Sequence, residues 1–255
     1  MSNYQKILYR VDQGIARLTL NRPAKRNALD ADLIGEMKDA LRQCSLDENV
    51  RIVLLAGAGA DFCSGADLSA LRRSAEAGVM ENLADARRVA DLFLTMRRHP
   101  RPIIAAVRGR ALAGGCGLAT ASDIILAAES ASFGYPEVNI GFIPAMVMAI
   151  LRRSVSEKRA FELITTGQTI TARAARDLGL INEVIPDAEF DNAVDSYVSK
   201  LAAQPPSAVS LAKTLFYQMD AMTLEAAIEA GIQANGLARQ TEDFRRGLER
   251  FLKKA

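Results

Sequence analysis

Short apolar runs alternate with longer segments of helical spacing along most of this chain. The first two runs, residues 7–11 and 15–20, alternate between apolar and polar positions on either side of Asp12-Gln13-Gly14, which predicts an antiparallel hairpin. Further runs have the length and composition of buried strands: 52–56, 103–107, 124–128 and Val184-Ile185. Because strands alternate with helical segments, the pattern predicts an α/β fold.

Two segments in the first half of the chain have the pattern of amphipathic helices. Asp30 is placed to cap a helix, and one face of that helix carries Leu33, Met37, Leu41 and Cys44. A second, charged segment covers residues 69–98. Its candidate apolar positions are Leu83, Val89, Leu92, Phe93 and Met96.

Beyond Pro144 the chain is predicted to be mainly helical. Gly167 and Gly179 are expected to end helices, and Thr171 and Asp187 are expected to cap them. Pro205-Pro206 predicts the clearest break in this half of the chain. Three helical patterns follow it: 207–219, 223–239 and 242–254.

The composition is ordinary for a globular protein with a sizeable core, with 49% hydrophobic and 24% charged residues. A net charge of +2 without a basic block does not favour nucleic-acid binding. No apolar run reaches the ~18 residues of a membrane span, and the first residues lack the features of a signal or transit peptide. Cys44, Cys63 and Cys116 are odd in number and scattered, which predicts reduced, buried thiols in a cytoplasmic protein.

A glycine-rich turn follows the predicted strand at 103–107. Gly114, Gly115 and Gly117 lie among residues of good helix propensity, where each interior glycine costs roughly 1 kcal/mol. A close approach of the backbone to another group explains them better, although close packing of helix on strand is the alternative. A helix that begins at Gly114 presents free N–H groups and the positive end of its dipole, which suit a negative oxygen.

Glu137 is the candidate acid or base. Its sequence neighbours are apolar: Phe133, Pro136, Val138 and Phe142. A carboxylate in such surroundings is poorly solvated, so we expect its pKa to rise toward the range of a general acid or base. The alternative is an ordinary surface carboxylate on a loop.

Other candidate chemistry has weaker support. Gly57-Ala58-Gly59 lacks the third glycine of a dinucleotide-binding turn. His99 is the only histidine, and nothing in the sequence places it beside Ser64 or Cys63 for nucleophilic catalysis. Asp67 is predicted to cap a helix rather than to act as an acid. No clustered His/Cys spacing predicts a metal site.

The motifs together resemble the enoyl-CoA hydratase/isomerase (crotonase) superfamily, from about Val11 to Lys254. Asn21-Arg22-Pro23 and Asn27-Ala28-Leu29 match its opening, and residues 61–68, DFCSGADL, match its oxyanion segment. The resemblance implies an α/β spiral of ββα units with a C-terminal helical arm. It divides the chain into a core with an acyl-CoA site over 1–204 and a helical trimerisation arm over 205–255, in a homotrimer or a dimer of trimers.

The resemblance also assigns roles in the site. It implies that the backbone N–H groups of Ala66 and Gly114 bind the thioester oxygen and that Glu137 is the acid/base. It places Arg26 near the phosphates of coenzyme A, and the backbone of Ala24 and Ala66 near its adenine and pantetheine. Phe251 and Lys254 would reach the CoA of a neighbouring subunit. Further positions assigned to substrate or CoA are Ala28, Asp67, Leu68, Gly115, Pro136 and Phe142.

One departure from the family pattern bears on the reaction. Family hydratases often carry two glutamates, and Gly117 stands in place of the first of them. We expect an enoyl-CoA hydratase that works with Glu137 alone, without metal or other cofactor, coenzyme A being part of the substrate. A single glutamate also suits a Δ3,Δ2-enoyl-CoA isomerase. A third alternative, a non-catalytic scaffold subunit, is disfavoured because Ala66, Gly114 and Glu137 are all retained.

Overall fold

The computed structural model describes residues 4–253, apart from the side chain of Leu68. In chain order the strands of this range are β1 (Ile7–Asp12), β2 (Ile15–Leu20), β3 (Ile52–Gly57), β4 (Ile103–Val107), β5 (Arg110–Leu112), β6 (Ile124–Ala128), β7 (Ser132–Gly134), β8 (Thr169–Thr171) and β9 (Glu183–Ile185).

The helices are α1 (Ala31–Leu46), α2 (Leu68–Glu76), α3 (Val79–Arg98), α4 (Gly114–Ala121), α5 (Ala145–Ser154), α6 (Glu157–Thr166), α7 (Ala172–Asp177), α8 (Phe190–Ala202), α9 (Pro206–Gln218), α10 (Leu224–Gln240) and α11 (Glu242–Leu252). Short 3-10 helices cover Pro23–Lys25, Pro136–Ile140 and Met219–Ala221. The α/β fold predicted from the sequence is confirmed.

The larger sheet contains the strands that the apolar runs predict. Its order is β1-β2-β3-β4-β6-β9. The β1–β2 hairpin is antiparallel, with Ile7 opposite Leu20, and the remaining neighbours are parallel. Every residue of β4 is buried, as expected for a central parallel strand covered on both faces.

A smaller sheet, which the hydrophobic pattern does not predict, builds the edge that holds the candidate site. Its order is β5-β7-β8. β5 is parallel to β7, with Leu112 opposite Gly134, and β8 is antiparallel to β7. Because β5 and β7 run in the same direction, the segments that follow them leave the sheet at the same edge.

The helix predictions for the first half of the chain are confirmed with one correction. The Asp30 side chain accepts a hydrogen bond from the N–H of Leu33 (2.9 Å) and caps α1. The segment 69–98 is divided into α2 and α3, with a break before Gly78. Leu83 was wrongly predicted to be apolar core, since it is 44% exposed, whereas Phe93 near the other end of α3 is buried. Only the C-terminal part of α3 carries residues of the core.

In the second half, Thr171 caps α7 as predicted, and Gly167 ends α6 with a left-handed backbone. The prediction for Asp187 was wrong, because α8 begins at Phe190. The Asp187 carboxylate instead accepts hydrogen bonds from the N–H (3.2 Å) and hydroxyl (2.5 Å) of Ser130. These contacts join two loops at the end of the larger sheet.

The C-terminal helices follow Pro205 as the sequence predicts. On α9, Lys213 is buried and donates to the Asp123 carboxylate (2.7 Å), which ties these helices to the core. The three cysteines are free and buried, as predicted. Within residues 4–253, no helix combines the length and the apolar character that crossing a bilayer requires.

Candidate active site

The parallel pairing of β5 and β7 brings Gly114 and Glu137 to one edge of the small sheet. Leu112 is opposite Gly134, and the N–H of Ala113 donates to the Gly134 carbonyl (2.8 Å). Directly after these residues, α4 begins at Gly114, and the 3-10 helix Pro136–Ile140 carries Glu137. The two candidate groups are therefore placed together by strand pairing, although they are distant in sequence.

Gly114 opens α4 with a free N–H group. Ala113, just before it, has φ 51° and ψ −128°, a backbone conformation that glycine adopts more easily than alanine. Among residues 4–253 the Gly114 N–H has no hydrogen-bond partner, as expected for the first residue of a helix. It adds to the positive end of the helix dipole, which favours a negatively charged oxygen.

The segment that carries Ala66 is held against the same turn. The N–H of Leu112 donates to the Cys63 carbonyl (3.0 Å), and the N–H of Leu29 donates to the Gly65 carbonyl (2.7 Å). Gly65 has φ 90°, and a Cβ there would lie 3.3 Å from the nitrogen of Gly114. Ala66 follows Gly65 directly and is exposed, and its N–H has no hydrogen-bond partner in the described part of the chain.

Two open N–H groups thus lie close together on different segments. This arrangement can stabilise negative charge that develops on one oxygen atom, as in an oxyanion hole. The structure places the Gly65-Ala66 turn next to Gly114, the two segments to which the family resemblance assigns the donors.

Glu137 has the environment of a candidate acid or base. Its side chain is half-buried, and one carboxylate oxygen, Oε2, is shielded from solvent and has no hydrogen-bond partner among residues 4–253. Burial raises the pKa of this carboxyl group above its ordinary value, as predicted. Phe133 is fully buried, whereas Val138 and Phe142 are 38% and 52% exposed.

Gly117 faces a filled space on the interior side of α4. A Cβ at this position would lie 2.9 Å from Cζ of Phe93 and 3.1 Å from Cγ2 of Val147. Phe93 and Val147 are 4% and 3% exposed. The position where the resemblance to the crotonase superfamily led us to expect a glutamate is therefore closed by apolar side chains from α3 and α5.

Gly115 is required for close packing. A Cβ on Gly115 would overlap the carbonyl oxygen of Cys63. The close-packing alternative considered for the glycine turn therefore applies to Gly115, while Gly114 faces the more open side.

Arg22, for which the sequence motif predicted no individual role, organises the neighbouring loops. Arg22 forms ion pairs with Asp30 (2.9 Å) and Asp67 (3.0 Å), and its guanidinium also donates to the Ala28 carbonyl. Asp67 caps α2, as predicted, by accepting a hydrogen bond from the N–H of Ser69 (2.9 Å). The Ser69 hydrogen bonds, followed by those of Arg22, hold the pKa of Asp67 well below its usual range.

The buried side chain of Asn27 joins the same loops by hydrogen bonds. It accepts from the N–H of Arg22 (2.9 Å) and donates to the carbonyls of Ala58 (2.9 Å) and Asp61 (2.8 Å). The N–H of Ser64 donates to the Arg26 carbonyl (3.0 Å). Residues 22–28 and 61–67 consequently form one rigid unit beside the two open N–H groups.

The remaining predicted positions lie at different depths. Ala24 and Arg26 are exposed on this unit, and Ala28 is buried. Pro136 is half-buried beside Glu137. Leu68 is the first residue of α2, and Lys254 lies outside the described residues.

Phe251 and His99 lie apart from the two open N–H groups. Phe251 is 71% exposed on α11, in the C-terminal helices. His99 is buried, and its ring nitrogens are 3.0 Å from the carbonyl oxygens of Leu41 and Arg101, so it serves the core. Among the described residues, no group of three or more His, Cys, Asp or Glu side chains is arranged to hold a metal ion.

Known proteins share both the sequence pattern and the fold. The family described as enoyl-CoA hydratase/isomerase matches residues 10–255. The 2,3-dehydroadipyl-CoA hydratase of Escherichia coli is 35% identical over 95% of this chain and 93% of its own length. A Thermus thermophilus relative, provisionally named an enoyl-CoA hydratase, is 37% identical over 97% of this chain and 98% of its own.

Solved structures of enoyl-CoA hydratases and related proteins have the same fold as this chain. The enoyl-CoA hydratase of Mycobacterium smegmatis superimposes with a TM-score of 0.94 at 33% identity, over 98% of this chain and 97% of that one. Human enoyl-CoA hydratase domain-containing protein 3 superimposes with a TM-score of 0.93 at 30% identity, over 98% of both chains.

Proposed function

The chain belongs to the enoyl-CoA hydratase/isomerase family of the crotonase superfamily, and from this premise we propose that it is an enoyl-CoA hydratase. The reaction adds water across the 2,3 double bond of an enoyl-CoA thioester. The observation that carries the proposal is the close approach of the Gly65-Ala66 turn to the nitrogen of Gly114, at the edge that also carries Glu137.

In the proposed mechanism, the thioester oxygen accepts hydrogen bonds from the N–H groups of Ala66 and Gly114. The Glu137 carboxylate takes a proton from water while the water oxygen bonds to C3 of the substrate. The electron pair of the double bond moves toward the carbonyl and produces an enolate. The enolate oxygen is stabilised by the two donors, each worth about 3–4 kcal/mol in such sites.

The second step uses the same carboxyl group. The enolate collapses, and C2 takes the proton that Glu137 received from water, which restores the carboxylate. One group thus acts first as base and then as acid. A raised pKa helps both steps, because it brings the carboxyl closer to the pH at which it works.

Isomerisation is the second candidate, and the surroundings of Gly117 favour it. Phe93 and Val147 are apolar and offer no second group to orient water. A Δ3,Δ2-enoyl-CoA isomerase needs only one carboxylate, which takes a proton from C2 and returns it at C4. The similarity to the 2,3-dehydroadipyl-CoA hydratase of Escherichia coli favours hydration.

Side-by-side assays with two substrates separate these candidates. Loss of the enoyl-thioester absorbance of crotonyl-CoA measures hydration, and its appearance from a 3-enoyl-CoA measures isomerisation. We expect the first activity to exceed the second, and both to fall in Glu137→Gln. The reverse order would make the protein an isomerase. Absence of both activities with intact CoA-ester binding would support a scaffold.

We further propose that residues 205–255 form a trimerisation arm, in a homotrimer or a dimer of trimers. Apolar side chains of the C-terminal helices are exposed in the single chain: Phe216, Leu224, Ile228, Ile232, Leu237, Phe244, Leu248 and Phe251. An exposed stripe of this extent favours association. In sedimentation analysis, Ile232→Asp should reduce the mass toward that of a monomer, and Gln233→Asp at the neighbouring exposed position should not. An unchanged mass in Ile232→Asp would exclude this surface as the interface.

The cytoplasmic location predicted from the sequence remains part of the proposal. It is supported by the three free, buried thiols.

A further inference from the structure

Two buried hydroxyl groups join the helix that begins at Gly114 to the segment that carries Glu137. Thr120, on α4, is 3% exposed, and Tyr135, two residues before Glu137, is completely buried. The Thr120 Oγ1 and the Tyr135 hydroxyl oxygen are 2.7 Å apart. Neither side chain belongs to the acid/base or oxyanion groups proposed above.

The direction of this hydrogen bond follows from the protons available. Thr120 Oγ1 carries one proton and donates it to the Cys116 carbonyl (2.8 Å). Tyr135 must therefore be the donor to Thr120. Burial, and then the neighbouring Cys116, raise the pKa of Tyr135 well above its ordinary value, so its phenol keeps the donated proton.

The backbone carries this restraint from Tyr135 to Glu137. Pro136 lies between them, and its ring fixes its own φ angle near −65°. At the other end of the loop, the N–H of Ala113 donates to the Gly134 carbonyl (2.8 Å), directly before the helix begins. The hydrogen bond from Ala113 to Gly134 holds the start of α4 against the segment 134–137. The hydrogen bond between Tyr135 and Thr120 holds the interior of α4 against the same segment.

We propose that Thr120 and Tyr135 are positioning residues that set the separation between the Gly114 N–H and the Glu137 carboxylate. This inference rests on one part of the proposed function, namely that the Gly114 N–H and the Glu137 carboxylate act on the same substrate. It applies equally to hydration and to isomerisation. Packing alone does not require buried hydroxyls, which are unfavourable there unless paired. Catalysis does require a fixed geometry, because a displacement of about 1 Å can slow a reaction ~100-fold.

Removal of single hydroxyl groups tests the pair. Tyr135→Phe keeps the ring and should lower kcat about tenfold or more, with KM within about twofold. Thr120→Val should have the same effect, and Thr120→Ser, which keeps the hydroxyl, should restore kcat. The double variant Tyr135→Phe/Thr120→Val should fall no further than either single variant, because both break one hydrogen bond.

Tyr217→Phe is the matched control. The Tyr217 phenol also donates at 2.7 Å, to the Asp123 carboxylate, but it ties α9 to the core. Its loss should lower the melting temperature without lowering kcat. A normal kcat in Tyr135→Phe, or an equal fall of kcat in Tyr217→Phe, would overturn the positioning role.

A measurement independent of turnover completes the test. In a ¹³C NMR titration, Tyr135→Phe should lower the pKa of Glu137 toward about 4.3, because a looser segment admits water to Oε2. Cys116 and Tyr135 are the titratable groups that interact electrostatically with Glu137. Both stay neutral in the acid range, so they do not change charge during this titration. If the wild type turns over neither substrate, the proposed function fails, and the titration decides alone: an unchanged Glu137 pKa in Tyr135→Phe refutes the positioning role.

Discussion

The ring of Phe93 occupies the space into which a side chain at Gly117 would extend, with Cζ 2.9 Å from the position of a Cβ there. This contact explains why α4 has a glycine at that point, since any side chain would have to displace a buried ring. It also bears on the chemistry, because the interior side of the proposed site is apolar and Glu137 is the only carboxylate assigned to it. A second acid at residue 117 requires a smaller residue at 93.

Gly117→Glu alone should destabilise the fold. Overpacking a core typically costs about 1–3 kcal/mol, and an unpaired buried carboxylate adds to this. Thermal unfolding measures the effect, with Gly35→Glu as control, because Gly35 is exposed on α1 and the described part of the chain has no heavy atom within 4 Å of its Cβ position. Equal melting temperatures of the two variants would show that Phe93 moves aside freely.

Gly117→Glu combined with Phe93→Ala should recover part of the lost stability, since the smaller side chain opens space for the carboxylate. With two carboxylates available to hold water, hydration of crotonyl-CoA should increase relative to double-bond migration. The ratio of the two activities in this variant and in Phe93→Ala is the measurement. A ratio identical in both would argue against a carboxylate at residue 117 taking part.

Glu137→Gln should lower turnover by about 10²–10⁴-fold, because the amide keeps the shape but accepts no proton. The pH profile should follow the raised pKa of Glu137. Activity requires the ionised form, so the acid limb of kcat/KM should have its midpoint above the ordinary value of about 4.3. A limb at or below that value would contradict the assignment.

Glu137→Gln should lower activity but should not lower the stability of the fold at pH 7. A carboxyl whose pKa is raised on folding stabilises the fold in its protonated form, and that contribution is lost as the pH rises through the folded pKa. At pH 7 the ionised Glu137 is therefore unfavourable, and Glu137→Gln should melt at the same temperature or higher. A clear fall in melting temperature at pH 7 would mean that the carboxylate has a stabilising partner.

Gly114→Pro should lower turnover by at least ~10²-fold, because it removes one oxyanion donor. Proline suits the first position of a helix, but it restricts the residue before it. Ala113→Gly should therefore be made alone, as a reference with near-normal turnover, and together with Gly114→Pro. Circular dichroism must show folded variants. Near-normal turnover of a folded double variant would place the oxyanion site elsewhere.

Asp67→Asn should destabilise the protein at neutral pH by ~1 kcal/mol or more through loss of the ion pair with Arg22, since asparagine caps a helix about as well as aspartate does. The folded pKa of Asp67 is depressed, so its contribution is present above about pH 4 and is lost as the pH falls below it. The difference in melting temperature between wild type and Asp67→Asn should consequently shrink toward pH 2. A constant difference would assign the effect to packing.

Acetoacetyl-CoA should bind without a divalent ion or nucleotide cofactor. Calorimetry in the presence of a chelator tests this, and binding that depends fully on a metal ion would contradict the proposal. Arg26→Ala should weaken the affinity through the phosphates, whereas Arg10→Ala, exposed on β1, should not. Equal affinities of these two variants would remove Arg26 from the binding site.

Local patterns in the sequence determined most of the elements. The β1–β2 hairpin, the continuous apolar strands and the caps Asp30 and Thr171 depend on neighbouring residues, so they can be predicted without knowledge of the fold. The glycine turn at Gly114 and the apolar neighbours of Glu137 were likewise recognisable from the sequence alone. The raised pKa of Glu137 followed from that context.

Tertiary structure decided which of these groups meet. β5, β7 and β8 are three residues long, too short for a recognisable alternation, yet the pairing of β5 with β7 places Gly114 beside the Glu137 segment. The error at Leu83 has a similar origin, since helical periodicity does not reveal where a helix extends beyond the core.

The finer features of the site depend on contacts between residues far apart in the chain. Phe93 closes the space at Gly117, Arg22 joins two loops through Asp67, and Thr120 receives the hydrogen bond of Tyr135. No local pattern encodes such contacts, because each exists only after the chain has folded and buried both partners. The sequence therefore determined which chemical groups are present, and the tertiary structure decided which of them act together.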